Sequence, residues 1–126
     1  MTNQSKETLF RELVGRTLAK MPSEFEDWVM RKIIIVFPRE KNLATTVIKE
    51  DSKHYEAVII LFDELLGQED WFQEHSLLNE IAHVKLKHRT QDDAEKRRKQ
   101  ENEANALASK WLVEAKSREA RQNRKS

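Results

Sequence analysis

The sequence predicts an α+β fold, with an N-terminal helix, a small three-stranded sheet, and two further helices. Three observations predict it. Apolar side chains recur at helical spacing over 6–20, 70–88 and 91–121. Three short runs rich in β-branched residues lie between 33 and 62. Gly67 then breaks the chain before the next apolar-periodic stretch. This order of elements predicts a layer in which the first helix and helix 70–88 pack on one face of the sheet.

Each element follows from its residues. Over 6–20, Leu9, Phe10, Leu13, Val14, Leu18 and Met21 form one stripe, with charges between them. Pro22 ends that helix, because the residue before a proline is pushed out of the α region. Ser23-Glu24-Phe25-Glu26 has capping-box spacing and predicts a short helix over 23–30. Ile33–Phe37 reads as a strand buried on both faces. Ala44–Ile48 is a weaker strand and Ala57–Phe62 a strong one. Asp70 can cap helix 70–88, whose inward stripe is Trp71, Phe72, His75, Leu78, Ala82 and Leu86. In the last helix, Ala104, Leu107, Ala108, Trp111, Leu112 and Ala115 make the apolar face. Beyond that the stripe fades. The expected organisation is one domain over 1–115 and a basic, disordered tail over 116–126.

Composition narrows the classes. A chain of 126 residues supports one modest core. The net charge of +1 gives no global nucleic-acid signal. Charge is uneven, however: residues 89–126 carry 11 Lys/Arg against 7 Asp/Glu. The plain reading of that excess is a solvated helix and an inert tail, and a nucleic-acid-contacting tail is its alternative. With no cysteine, disulfides and thiolate metal sites are excluded. No apolar run approaches the ~20 residues of a membrane span, and Met1–Glu7 lacks an apolar signal core. Cytoplasmic residence and no membrane partner are the expectations.

The chemistry-bearing stretch is Asn79-Glu80-Ile81-Ala82-His83, followed by Val84-Lys85-Leu86-Lys87-His88. It is one residue from H-E-x-x-H, with Asn79 where the first His would stand. In that motif two His four residues apart aim at one Zn²⁺, and the Glu acts as general base on the metal-bound water. A third protein ligand completes the site and leaves one position open. Asn79 offers only an amide oxygen, a weaker zinc donor than imidazole. His88, about 140° round a continuing helix from His83 at 3.6 residues per turn, does not replace position 79. His75 lies about 12 Å from His83 along the axis at ~1.5 Å per residue, too far to share an ion. The third-ligand candidates are Glu101 and Glu103. Glu101 is preferred as the inward one because it shares a face with Asn105 and Ala108.

With Ala57–Phe62 and Glu101-x-Glu103-Ala104-Asn105-x-Leu107-Ala108, this block resembles the minimal zincin metallopeptidases of the ImmA/IrrE type. The resemblance covers roughly residues 56–113. It implies His83 and Glu101 as metal ligands, Asn79 beside them, Glu80 as general base and Zn²⁺ as cofactor. It also implies a protein partner or substrate of the DNA-binding repressor class. The departure at Asn79 predicts reduced or lost peptidase activity and a regulatory or protein-binding role. The alternatives are an active zinc endopeptidase in which Asn79 is engineered or tolerated, or an unrelated small α+β interaction protein with a basic nucleic-acid-contacting tail.

Plainer readings stand beside these. Glu80 and His83 are also what a hydrogen-bonded polar pair on a helix looks like, and Glu101 a solvated charge. Asn79 is expected to hydrogen-bond His83 or Glu80 in place of a metal. His54 and His88 are expected at the surface. Trp28, Trp71, Phe72 and Trp111 are expected in core or rim packing.

Overall fold

The computed structural model describes residues 5–37, 44–48, 55–88 and 92–125. Helices α1 (Lys6–Leu18) and α2 (Ser23–Lys32) lead into strand β1 (Ile33–Val36). Strands β2 (Ala44–Ile48) and β3 (Ala57–Leu61) precede a 3₁₀ turn at Asp63–Gly67, then α3 (Asp70–Lys85) and α4 (Ala94–Lys125). The class is α+β, and helix dominates among the described residues. His54 and residues 1–4 fall outside them.

The Ser5 side chain caps α1 by accepting the Thr8 N–H at 3.2 Å. At α2 the expected capping box does not form. Pro22 is the N-cap and makes no side-chain cap bond, while its carbonyl accepts from Phe25 and Glu26. Ser23 is therefore already inside the first turn.

Strand order is β1-β3-β2. β1 runs parallel to β3, with Ile33 opposite Ala57 and Val36 opposite Ile60. β2 runs antiparallel to β3, with Ala44 opposite Leu61 and Ile48 opposite Ala57. The central strand is thus β3, and its side chains alternate: Ala57, Ile59 and Leu61 are buried, Val58 and Ile60 half-buried. β1 is an edge strand in which only Ile33 is fully buried. This corrects the expectation of a strand buried on both faces: Ile34, Ile35 and Val36 are only half-buried, and among the described residues β1 pairs with β3 alone.

Helix α3 is the hub of the molecule. It packs on β2 and β3, on α1, and along α4. Three neighbours bury a broad surface, so Leu77, Leu78, Ile81, Ala82 and Val84 all lie inside. The predicted single stripe is correct at Leu78 and Ala82 and wrong at the ends. Trp71 is 62% exposed and Leu86 is exposed, because the first turn and the last residues overhang these partners. Trp111, by contrast, is buried against Phe25, with ring centroids 5.8 Å apart.

Polar contacts fix α3 to its surroundings. Glu74 is buried and receives both Arg16 and Lys20 from α1 and the turn after it. Gln73 Nε2 donates to the carbonyls of Leu66 and Gln68, closing the 3₁₀ turn onto α3. The Lys85 ammonium lies 4.9 Å from the Phe25 ring and 5.1 Å from Trp28, linking α2 to the end of α3.

Helix α4 approaches α3 closely because its inner positions are small: Ala104, Ala108 and Ala115 are buried. It begins at Ala94 rather than 91, since Asp93 Oδ1 accepts the Glu95 N–H at 2.8 Å and caps the first turn. It also runs on to Lys125, so the stretch 116–125 is helix where the sequence predicts a disordered tail. Arg118 contributes by donating to the Lys20 carbonyl at 2.8 Å. Ala, Arg, Lys, Glu and Gln in that stretch are also good helix formers. Among the described residues no helix is long and apolar enough to cross a membrane.

Candidate functional site

The candidate residues line the seam between α3 and α4. Three side-chain pairs cross it. His75 Nε2 lies 3.4 Å from Ser109 Oγ, Asn79 Nδ2 donates to Asn105 Oδ1 at 2.6 Å, and His83 Nε2 lies 2.8 Å from Glu101 Oε1. Each step of four residues up α3 is matched by four residues down α4, so the helices are antiparallel and in register. One helical turn brings side chains i and i+4 to the same face, which is why the pairs recur at that interval.

The seam therefore gathers Asn79, His83 and Glu101, the sequence-predicted metal set. Glu80 lines the same cleft, a space of about 420 Å³ walled by Trp71 and Phe72. Asn79 is almost fully buried, and its amide bonds Asn105 rather than the expected His83 or Glu80. Of the two carboxylates offered as third ligand, Glu101 meets His83. Glu103 meets His88 instead, at 3.3 Å from its Nε2.

His88 departs from expectation. A surface position for it follows only if the helix continues to 88. Instead α3 ends at Lys85, with Leu86 as C-cap and Lys87 in the left-handed region at φ 58°. The Lys87 N–H donates to the Val84 carbonyl and the His88 N–H to the His83 carbonyl. These are the paired bonds of a Schellman cap, here with lysine where glycine is usual. The turn folds His88 back on His83. Its side chain is 9% exposed, and its Nδ1 lies 2.9 Å from His83 Nδ1. The rings meet edge to face at 5.1 Å. Asn105 and Ser109 also enter the seam, and the i, i+4 spacing from Glu101 was the signal for both.

As a zinc site the seam supplies one imidazole nitrogen, one carboxylate and the weak amide oxygen of Asn79, whose Nδ2 is bonded to Asn105. That is short of the three strong protein donors of a catalytic zinc centre. Among the described residues no three His, Asp or Glu side chains are gathered as a ready metal-binding group. No protein-family model, curated protein or solved structure matches this chain.

Proposed function

We propose that this chain is a zincin-like domain of the ImmA/IrrE type with reduced or lost peptidase activity, acting as a regulatory or protein-binding module. Its partner class is a protein such as a DNA-binding repressor. The observation that carries the reading is the Asn79–Asn105 hydrogen bond. At the position where the peptidase motif needs a metal-binding histidine, a side-chain hydrogen bond crosses the seam and gives the buried Asn79 Nδ2 a partner. The scaffold is then held without a metal, and the cleft beside Glu80 remains as a binding surface. Incubating zinc-loaded protein with repressor-type substrates, with and without a chelator, tests this. The expected result is no chelator-sensitive cleavage; such cleavage would overturn it.

The second reading, an active zinc endopeptidase, is favoured by the 2.8 Å approach of His83 to Glu101, a separation two donors to one ion can have. Elemental analysis after zinc loading and dialysis separates the two. About one zinc per chain, lost together with activity on Glu101→Gln, is the outcome this second reading requires.

A further inference from the structure

We infer that His83 and His88 form a two-nitrogen site for a first-row transition-metal cation, bound through Nδ1 of both rings, with Glu101 and Glu103 holding the rings from behind. This differs from the zincin-type arrangement, in which His83 would use Nε2 and Glu101 would itself be a ligand. It stands independently of the peptidase reading.

Each Nε2 faces a carboxylate: His83 against Glu101 at 2.8 Å, and His88 against Glu103 at 3.3 Å. An ionised carboxylate only accepts, so a hydrogen on each Nε2 serves both pairs. In that tautomer two neutral rings bring their Nδ1 lone pairs together, with the nitrogens 2.9 Å apart. Bare, that arrangement is repulsive. A cation between the nitrogens resolves it, and a shared proton or a metal ion fills that role.

The spacing admits a metal. With metal–nitrogen bonds of ~2.0–2.1 Å, two imidazole nitrogens on one ion are about 2.9 Å apart at a right angle and about 3.3 Å at a tetrahedral angle. The metal-free pair, at the 2.9 Å of an ordinary N–H···N contact, is within a few tenths of an ångström of either. Imidazole suits Cu²⁺, Ni²⁺ and Zn²⁺, and the intrinsic affinity order puts Cu²⁺ first.

The surroundings are those of a supported site. Metal-bound histidines characteristically donate their other ring N–H to a carboxylate, which fixes the tautomer and raises ligand basicity. Both rings have that partner here. The Schellman turn at Lys87 sets the spacing through the His88 N–H to His83 carbonyl bond of 2.9 Å. The two nitrogens are therefore positioned before any ion arrives.

The test is calorimetric titration of Cu²⁺, buffered with glycine, into the untagged full chain at fixed pH, with electron paramagnetic resonance to count bound nitrogens. The expected result is one Cu²⁺ per chain with two equatorial imidazole nitrogens. His88→Gln, which keeps a hydrogen-bonding side chain of similar length, should weaken binding at least ~100-fold, and Glu103→Gln roughly 10- to 100-fold, the usual effect of losing such a supporting carboxylate. Binding that survives His88→Gln but is abolished by Glu101→Gln would overturn the inference and put the ion on the zincin-type set. No Cu²⁺ binding by the parent chain would overturn it while leaving the reading of lost peptidase activity intact. Circular dichroism of each variant confirms that it is folded.

Discussion

Asn79→His would spell H-E-x-x-H over residues 79–83, and its cost and gain can both be worked from the seam. The cost has two parts. Asn79 is 9% exposed, so the larger imidazole overpacks its site, typically by about 1–3 kcal/mol. The bond to Asn105 is also lost, worth about 1 kcal/mol, while the exposed Asn105 regains water. A loss of about 2–4 kcal/mol lowers Tm by roughly 6–20 °C for a chain of this size. The gain is zinc. If the introduced imidazole converges with His83 and Glu101, zinc at about one hundred times its Kd returns about 2.7 kcal/mol and recovers most of the lost Tm. Differential scanning calorimetry with zinc and with chelator reads both effects. The measurement belongs in a His88→Gln background, so that the second histidine contributes nothing to the zinc response. A destabilised variant without any zinc-dependent rise would refute the claim that His83 and Glu101 are arranged as co-ligands of position 79. An equal rise in the Asn79 parent would refute the weight placed on that residue.

Trp111→Ala removes the largest fully enclosed side chain and should cost about 3–5 kcal/mol in urea unfolding; a midpoint within error of the parent would contradict its place in the core. Lys87→Gly should stabilise by about 0.5–1 kcal/mol, because glycine relieves an αL penalty of about 1–2 kcal/mol and gives back part of it as unfolded-chain entropy. Loss of stability on that change would show that Lys87 makes a contact worth more than its backbone strain. Glu74→Ala should cost about 2 kcal/mol by thermal or chemical unfolding, below the ~3–5 kcal/mol of a fully buried pair, since Arg16 and Lys20 are about one-third exposed and can rehydrate. A loss under about 0.5 kcal/mol would mean the pair behaves as an ordinary surface ion pair.

The existence and type of the main elements were legible because the apolar residues keep the periods of helix and strand. Strand order was not. Ile33–Phe37 and Ala57–Phe62 are both continuous apolar runs, and nothing in either says which occupies the centre; pairing partners decide that. The buried surface of α3 is broader than its predicted stripe for a related reason. Periodicity assumes one buried face, and α3 has three neighbours, so Leu77 and Ile81 count as much as Leu78 and Ala82. The Schellman turn was invisible because its usual marker is glycine, and lysine stands at position 87. That single concealed αL residue is what brings His88 to the side of His83 instead of leaving it at the surface.

The seam itself was legible in part, and the part that sequence conceals explains how Asn79 is tolerated. Asn79 and His83, like Glu101 and Asn105, are one turn apart, so their facing surfaces follow from sequence once the helices are known to be antiparallel. What sequence does not give is the register, which decides whether Asn79 meets a carboxylate, an amide or nothing. In this register each of three consecutive turns of α3 finds a polar partner on α4. An amide opposite an amide satisfies a donor and an acceptor without net charge. An imidazole at position 79, without a metal, would instead leave Asn105 facing a ring in a space built for something smaller. Asn79, the residue by which this stretch departs from H-E-x-x-H, is therefore the one that suits a metal-free seam. For that reason Asn79→His is expected to be destabilising until a metal is supplied.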